Sequence, residues 1–289
     1  MFQGSIVALV TPMNPDGSID YEGYLKLLDF HISNGSDGVV VVGTTGEAPT
    51  IDFDEHVSLI KEAVSFVGGK IPVIAGTGAN STKEAIFLTE QAKKYNADAC
   101  LLVTPYYNKP NQKGLYAHYK AINDAVDIPQ ILYNVPSRTG CDLTNETIIE
   151  LSHQKNIVGI KDATGDLHRI DFIKNKADRK FGLISGDDIS FLHFLKKGGS
   201  AVISVTANVA PRQMHMICKM IQEKKYGEAE SLNDTIKRLH EMMFIEPNPI
   251  PVKWALSHMG LINGMLRLPM VKLDPMYQEE LSKLIDHIK

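Results

Sequence analysis

Eight short apolar runs, rich in valine and isoleucine, recur along the chain and constrain its fold more than any other feature. They are SIVALVTP, DGVVVVGTTG, IPVIAGTG, DACLLVTPYY, IPQILYNVP, NIVGIKDAT, FGLISGDD and SAVISVTAN. Each run is continuously apolar rather than alternating, which is typical of parallel strands that are buried on both faces beneath helices. The sequence therefore predicts an α/β protein with eight parallel strands.

Amphipathic helical patterns lie between several of these runs. The segments YEGYLKLLDFHISNG, DEHVSLIKEAVSFVGG and TKEAIFLTEQAKKYN carry apolar residues three or four positions apart. Strand and helix repeat about every thirty residues, the size of one βαβ unit. Eight such units predict a closed (β/α)8 TIM barrel. The alternative, an open doubly wound sheet, is disfavoured because Ser81 in GTGANS replaces the third glycine of the dinucleotide motif.

The strand pattern stops after Asn208, and helical segments separated by EPNPIP and LRLPMVKLDP follow it. We therefore predict a catalytic barrel over residues 1–224 and a C-terminal helical domain over residues 225–289. The second segment is too small to be an independent enzyme domain. We expect it to pack on the barrel or on another subunit.

Composition excludes several classes of function. The net charge is -4 and no Lys/Arg-rich block occurs, so the sequence predicts neither a nucleic acid nor a membrane as partner. Cys100, Cys141 and Cys218 are widely spaced, as expected of reduced thiols in a cytoplasmic protein. The first apolar run is too short for a signal core or a membrane span. Histidines, acids and cysteines show no metal-site spacing, so we predict no metal or other cofactor.

Chemically versatile side chains close several of the predicted strands, where the active site of a (β/α)8 barrel lies. These residues are Thr44, Thr45, Tyr106, Tyr107, Tyr133, Arg138, Lys161, Gly186 and Ile203. A buried Lys161 would lose its charge readily, and a free amine attacks a carbonyl to form a Schiff base. The alternative is a buried ion pair between Lys161 and Asp162 or Asp187.

Three hydroxyl groups are expected to converge on this lysine. Thr44, Tyr107 and Tyr133 follow neighbouring strands, and hydroxyls relay protons well. A tyrosine at a strand end can instead simply fill the core. The GTTGE turn, with its hydroxyls and backbone N–H groups, can hold a carboxylate or be a plain turn. Arg138 can bind a second carboxylate with two hydrogen bonds or be a solvated surface residue.

Six motifs, in order and spread over almost the whole chain, carry a resemblance to a known family. They are GTTGE, TPYYNKP, YNVPSRTG, GIKDATGD, SGDD and NPIPVKWALSHMG. By these motifs the sequence resembles the dihydrodipicolinate synthase family of the pyruvate-dependent class I aldolase superfamily. The resemblance implies that Lys161 forms an imine with pyruvate, whose enamine attacks L-aspartate 4-semialdehyde. The product would be 4-hydroxy-tetrahydrodipicolinate, on the route to lysine and diaminopimelate.

The resemblance also implies roles for the hydroxyl groups and an oligomeric state. Tyr133 would protonate and orient groups at the imine, and Thr44 would link it to Tyr107. By the family's pattern, Tyr107 reaches in from a neighbouring subunit. Family members are usually homotetramers built as a dimer of dimers, so the resemblance implies the same assembly here.

Substrate-binding residues follow from the same resemblance. Thr45 would hold the pyruvate carboxylate, Arg138 would hold the carboxylate of the semialdehyde, and Gly186 and Ile203 would line the pocket. The rival within the superfamily is an N-acetylneuraminate lyase or a 2-keto-3-deoxy sugar-acid aldolase. Arg138 favours the synthase, because the lyases usually lack this arginine.

Feedback inhibition by L-lysine is a further expectation from the resemblance. The residues that match the family's lysine pocket are His56, Asn80, Glu84 and Tyr106. Alternatively, Ser81 to Glu84 form a capping box, so that Glu84 only caps its helix. Three neighbours depart from strongly inhibited members: Ala48, Pro49 and Phe53. We therefore expect weak or intermediate inhibition.

Two functions of other classes complete the set of hypotheses. A catalytically silent binding protein can share this fold, since fold does not determine function, but Lys161 and Tyr133 argue against it. A metal-dependent aldolase is the other, and exhaustive chelation tests it.

Overall fold

Eight parallel strands close into a barrel, as the apolar runs predict. The computed structural model describes residues 2–288. The strands are β1 Gly4–Ala8, β2 Gly38–Val41, β3 Val73–Gly76, β4 Ala99–Val103, β5 Gln130–Asn134, β6 Ile157–Asp162, β7 Gly182–Ser185 and β8 Ala201–Ser204. They follow one another in sequence order around the barrel, and β8 pairs with β1. The open doubly wound sheet is therefore excluded.

Helices follow the strands and cover the outside of the barrel. They are α1 Tyr21–Ser33, α2 Phe53–Val67, α3 Thr82–Lys94, α4 Gln112–Ala125, α5 Pro136–Thr139, α6 Asn145–Ser152, α7 His168–Lys176, α8 Phe191–Lys196, α9 Pro211–Gln222, α10 Tyr226–Met242, α11 Ile250–His258 and α12 Pro275–Ile288. The first three cover the helical patterns identified in the sequence. Helix α2 shows why: Asp52 and Glu55 form a capping box at its start, and Gly68 ends it at φ +57°.

Apolar side chains fill the inside of the barrel. The fully buried members of this interior cluster include Ile6, Val40, Ile74, Ile131, Ile184 and Ile203. Tyr133 belongs to the same cluster, near the C-terminal end of β5. A polar group at this end of the barrel therefore borders an apolar interior of low dielectric constant.

The C-terminal helices share a hydrophobic core with the barrel. Leu239, Met243, Val252 and Leu281 belong to the same buried cluster as Val7 of β1. The last barrel helix, α9, ends at Gln222, two residues before the predicted domain boundary. Because the packing is continuous across that boundary, the division at residue 224 stays a prediction. No helix between residues 2 and 288 is long and apolar enough to cross a membrane.

Candidate active site

Strands β5 and β6 place Tyr133 and Lys161 side by side. The two residues are direct partners in the strand register. The Lys161 Nζ atom lies 4.1 Å from the centre of the Tyr133 ring, and only 6% of the lysine is exposed. A primary amine and a phenol therefore meet at the C-terminal end of the barrel, in the position that the sequence predicts.

Burial lowers the pKa of Lys161 to about 7, because the ammonium form loses its hydration. Two charges act in opposite directions: the Asp188 carboxylate raises this pKa, and the Arg138 guanidinium lowers it. The free amine that a Schiff-base nucleophile requires is thus much more populated at neutral pH than in an exposed lysine.

The alternative interpretation of Lys161, an ion pair with a neighbouring aspartate, is wrong. Asp162 follows Lys161 on the same strand and therefore points to the opposite face, where its Oδ2 lies 3.1 Å from Arg169 Nε. Asp187 accepts hydrogen bonds from the backbone N–H and the hydroxyl of Ser190. Within residues 2–288, no carboxylate lies within ion-pair distance of Lys161.

Tyr133 keeps its proton at neutral pH. Burial raises its pKa, while the Arg138 charge and the nearby Thr44 side chain oppose that rise. The protonated phenol can therefore donate a proton next to the amine, and the Thr44 hydroxyl is available as a second member of a relay. Two of the three predicted hydroxyls thus meet within one chain.

The third predicted hydroxyl, that of Tyr107, makes no hydrogen bond with the other two within residues 2–288, so its part in the site stays a prediction. The Tyr107 side chain is 90% exposed, and its backbone adopts φ +74°. A left-handed conformation is unfavourable for a bulky residue and turns the chain sharply after β4. Tyr107 therefore projects away from its own barrel.

Gly186 makes room for the lysine side chain. A Cβ atom at this position would lie 3.0 Å from both Cγ and Cε of Lys161 and 2.9 Å from the Ala163 Cβ. The Gly186 backbone N–H donates to the Asp162 carbonyl at 2.7 Å, which fixes the loop after β7 against β6. Ile203 is fully buried and belongs to the barrel interior beneath the site.

The GTTGE turn presents donors at the mouth of the barrel. Thr45 is buried, and its hydroxyl oxygen accepts a hydrogen bond from Asn248 Nδ2 at 2.9 Å. Its hydroxyl hydrogen therefore remains available to a ligand. The backbone N–H groups of Thr44 and Thr45 donate no hydrogen bond within the described part of the chain. These hydroxyl and N–H groups can bind a carboxylate. The segment also has the closing hydrogen bond of a plain turn, from the Ala48 N–H to the Gly43 carbonyl.

A buried ion pair holds this turn from behind. Lys253 Nζ lies 2.5 Å from Glu47 Oε1, and both side chains are almost completely buried. The other oxygen of Glu47 accepts from the Arg267 backbone N–H at 3.1 Å. Burial lowers the pKa of Lys253, and the Glu47 charge opposes that effect. The C-terminal helical segment thus takes part in building the mouth.

Arg138 lies on the short helix α5, at the rim of the same mouth. Its side chain is exposed, and its Nη2 donates to the Asn248 carbonyl at 3.3 Å. The Arg138 charge also lowers the pKa of Lys161 and of Tyr133. The residue is therefore oriented toward the site rather than freely solvated.

The four residues of the expected lysine pocket occupy two different environments. Asn80 Nδ2 donates to the Tyr106 carbonyl at 3.2 Å, and burial together with the Glu84 charge raises the pKa of Tyr106. His56 is buried, its Nε2 lies 2.7 Å from the Gly76 carbonyl, and burial lowers its pKa to about 4. Asn80, Glu84 and Tyr106 thus lie close together. The His56 ring is neutral, and its Nε2 already contacts the Gly76 backbone carbonyl.

Half of the predicted capping box is present at the start of α3. The Ser81 side chain accepts from the Glu84 backbone N–H at 3.5 Å. The Glu84 carboxylate makes no hydrogen bond or ion pair within residues 2–288, so the reciprocal half of the box is absent there. No group of three His, Cys, Asp or Glu side chains in the same part of the chain is arranged to hold a metal ion.

Sequence reasoning missed three residues of the site: Asn248, Lys253 and Asp188. Asn248 and Lys253 lie in the NPIPVKW motif, which contributes to the family resemblance but has no local pattern that predicts a role. Asp188 is the second aspartate of SGDD, and the strand-end argument selected only the glycine before it. A search for polar residues inside otherwise apolar, proline-flanked helical segments would have found Lys253.

Comparisons with known proteins agree with this geometry. The model of the dihydrodipicolinate synthetase family matches residues 1–288. The 4-hydroxy-tetrahydrodipicolinate synthase of Nitrosomonas eutropha is 54% identical over 283 residues, covering 98% of this chain and 97% of the relative.

Solved structures of similar proteins superpose closely on this fold. The chloride-inhibited dihydrodipicolinate synthase of Acinetobacter baumannii, complexed with pyruvate, has a TM-score of 0.98 at 51% identity, with 100% of this chain and 99% of that chain covered. The enzyme of Cyanidioschyzon merolae, with lysine bound, has a TM-score of 0.96 at 38% identity, with 99% and 98% covered. The chain belongs to the dihydrodipicolinate synthetase family.

Proposed function

We propose that this chain condenses pyruvate with L-aspartate 4-semialdehyde to 4-hydroxy-tetrahydrodipicolinate, through a Schiff base at Lys161. The observation that carries the proposal is a buried amine, with a pKa of about 7, against the ring of Tyr133. The curated relative from Nitrosomonas eutropha carries the name of this activity, and the Acinetobacter structure contains pyruvate. The sugar-acid lyase alternative has no comparable support among these proteins.

The first step joins pyruvate to the enzyme. The free amine of Lys161 attacks the keto carbon of pyruvate and forms a carbon–nitrogen bond. The keto oxygen takes up two protons and leaves as water, which gives a protonated imine. Loss of a methyl proton then gives the enamine, whose terminal carbon is the nucleophile of the next step.

The second step joins the two substrates and releases the enzyme. The enamine carbon attacks the aldehyde carbon of the semialdehyde, and the aldehyde oxygen is protonated to a hydroxyl. The amino group of the semialdehyde then attacks the imine carbon, which closes the ring and expels the Lys161 amine. Each turnover therefore consumes both substrates, releases one water and restores the lysine.

Proton transfers fall to the hydroxyl groups around the amine. Tyr133 is protonated and adjacent to Lys161, so it can give a proton to the leaving keto oxygen. The Thr44 side chain lies near Tyr133 and lowers its pKa, so its hydroxyl can exchange a proton with the phenol. Tyr107 completes the relay from a neighbouring subunit, which its projection away from its own chain supports. This arrangement requires an oligomer, and we propose a homotetramer built as a dimer of dimers.

Two carboxylates are bound at the mouth. Thr45 supplies a free hydroxyl hydrogen and unpaired backbone N–H groups to the pyruvate carboxylate. Arg138, at the rim, binds the carboxylate of the semialdehyde. Gly186 and Ile203 shape the pocket between them. The imine needs only pyruvate and lysine, so we propose no further cofactor, and activity should survive exhaustive chelation.

Borohydride trapping tests the covalent step. Reduction in the presence of pyruvate should add one lactyl-type mass to the peptide that contains Lys161, and Lys161→Ala should abolish the label. Lys253 is a built-in control, because it is equally buried but paired with Glu47 and should stay unlabelled. Labelling at any other lysine would overturn the mechanism.

Substrate identity needs a separate assay. NADPH oxidation by the next reductase should require both pyruvate and aspartate semialdehyde, while N-acetylneuraminate should release no pyruvate. Arg138→Lys should raise the KM for the semialdehyde more than the KM for pyruvate, since a point charge replaces a two-pronged donor. Cleavage of the sugar acid without condensation would keep Lys161 but reject the proposed substrates.

We also propose weak or intermediate feedback inhibition by L-lysine at Asn80, Glu84, Tyr106 and His56. Glu84 offers a carboxylate to the ligand's ammonium groups, and the Cyanidioschyzon structure has lysine bound. His56 is uncharged at neutral pH because burial lowers its pKa to about 4, so it adds no attraction for the ligand's carboxylate. Measuring the initial rate at increasing lysine concentration checks this proposal. Glu84→Gln should lose the inhibition. If millimolar lysine leaves the rate of the unmodified enzyme unchanged, the proposed lysine site is incorrect.

A further inference from the structure

A buried carboxylate that the proposed mechanism does not use lies at the ends of β7 and β8. Only 2% of Asp188 is exposed. Its Oδ2 accepts hydrogen bonds from the backbone N–H groups of Val205 and Thr206, both at 2.9 Å, and from the Thr206 hydroxyl at 3.1 Å. Its Oδ1 is buried without a hydrogen-bond partner in residues 2–288. An unsatisfied carboxylate oxygen in a dry interior is costly and requires an explanation.

The path of the chain brings this carboxylate to the lysine. Lys161 is the register partner of Ile184 on β7, and its side chain lies against Gly186, two residues before Asp188. The two groups are too far apart for an ion pair, but the Asp188 charge raises the pKa of Lys161 against the effect of burial. In a low-dielectric site such a charge acts over more than contact distance.

The other charged and titratable groups here do not provide the same field. Lys161 is faced by the phenol of Tyr133, which is neutral at pH 7, and by the guanidinium of Arg138, which repels a cation. Behind Asp188, His240 Nδ1 on α10 lies 2.9 Å from the Thr206 hydroxyl, and burial lowers the pKa of this ring, so it is neutral at pH 7. The remaining neighbours are the carboxylates of Asp187 and Glu241 near His240 and the thiol of Cys218, whose pKa burial raises.

We propose that Asp188 is a positioning residue that supplies the buried negative charge stabilising the cationic forms of Lys161, its ammonium and its protonated imine. Imine formation places a positive charge in the barrel until the enamine forms, and Arg138 disfavours that charge. The three donors from Val205 and Thr206 hold the carboxylate in place and balance part of its charge. This inference rests on the proposed Schiff base at Lys161.

Asp188→Asn tests the proposal because it removes the charge and keeps the shape. Without the carboxylate, the amine loses its proton at lower pH, so the acid limb of kcat/KM for pyruvate should shift down by about one pH unit. The protonated imine loses the same stabilisation, so the pyruvate concentration that half-saturates borohydride trapping at pH 8 should rise about tenfold. A purely structural defect would weaken trapping without moving the acid limb.

Two comparisons keep the result unambiguous. Asp37→Asn is the matched control: this carboxylate also accepts from a backbone N–H, that of Ser5, but lies at the opposite end of the barrel, and its profile should be that of the unmodified enzyme. If Asp188→Asn does not fold, Asp188→Ser is smaller, admits a water and should give the same shift. An unshifted limb in a folded variant overturns the role of Asp188 alone. Absence of any Lys161 adduct in the unmodified enzyme overturns the proposed function itself.

Discussion

Lys161 and Lys253 are both buried, but their surroundings give them opposite roles. Lys253 is neutralised by Glu47 at 2.5 Å, which makes it a structural ammonium. Lys161 has no such partner in the described part of the chain, and burial brings its pKa to about 7. Lys253 therefore helps to hold the mouth together, whereas Lys161 has the free amine that the proposed nucleophile requires, at a cost to stability.

The pH dependence of imine formation follows from this pKa. Below pH 7 the amine of Lys161 becomes an ammonium ion, which cannot attack a carbonyl, so kcat/KM for pyruvate should fall about tenfold for each pH unit below that value. Above pH 7 the amine is free and this limb should be flat. Rates measured at saturating semialdehyde from about pH 5 to pH 9 check the limb. If the midpoint of the acid limb of kcat/KM lay near the ordinary pKa of lysine, it would contradict the argument that burial lowers the pKa of Lys161.

Replacing each lysine by methionine should have opposite effects on stability. The folded pKa of Lys161 lies below its unfolded value because burial destabilises the ammonium form. This destabilisation is complete below pH 7, where the lysine is charged in both states, and disappears near the unfolded pKa. Lys161→Met should therefore raise the free energy of unfolding by about 3 kcal/mol at pH 8 while abolishing activity. The gain should shrink as the pH approaches that of an ordinary lysine.

Lys253→Met is the matched comparison for that experiment. It leaves the Glu47 carboxylate buried and unpaired, which should lower the free energy of unfolding by about 3 kcal/mol. Urea unfolding and thermal melting of the three proteins give both differences. If both variants moved in the same direction, the assignment of one nucleophilic and one structural lysine would be incorrect.

Among the elements, the loop after β7 shows how backbone sets side-chain geometry. A Cβ atom at Gly186 would lie 3.0 Å from the Lys161 side chain, so this loop packs closely against the lysine. A side chain there would push the lysine off the Tyr133 ring. The requirement for glycine thus comes from close packing rather than from a left-handed turn.

Gly186→Ala should consequently damage catalysis more than folding. The added methyl group displaces the flexible Lys161 side chain, so we expect kcat/KM for pyruvate to fall by about two orders of magnitude. Thermal stability should change by only a few degrees. Gly227→Ala is the control, since a Cβ in that helical position meets nothing within 4 Å and both properties should be retained. A wild-type rate in Gly186→Ala would mean that the lysine tolerates displacement.

At the scale of the whole molecule, the proposed function makes the site depend on a second chain. Tyr107 is almost fully exposed and has a left-handed backbone, which supports the proposal that its hydroxyl serves another barrel. Mixing Lys161→Ala with Tyr107→Phe subunits should then restore activity, because the hybrid dimer contains one intact site. A random dimer population should recover about a quarter of the native rate.

Measurement of that complementation requires each variant alone, the refolded mixture and a mixture that is not allowed to exchange. Recovery only after exchange supports a tyrosine supplied in trans. A mixture no more active than the mean of its two components places the functional hydroxyl elsewhere.

Much of this architecture can be predicted from the sequence, for a physical reason. Parallel strands buried on both faces need continuous apolar runs, so the strands can be recognised in the sequence. Their C-terminal ends share one rim of the barrel, which places Lys161, Tyr133 and Thr44 near one another. Asn248 and Lys253 could not, because they contact Thr45 and Glu47 across 203 and 206 residues of sequence. The orientation of Tyr107 could not be predicted either, since nothing local in the sequence reveals its left-handed backbone.

The contacts of Asn248 and Lys253 also bear on when the enzyme becomes competent during its synthesis. The eight strands are complete by Ser204, but the partners of Thr45 and Glu47 lie beyond residue 247. We therefore expect the Thr45 turn to lack this support until the residues beyond 247 have emerged from the ribosome. A chain released early, with all eight strands but without Asn248 and Lys253, should then be inactive.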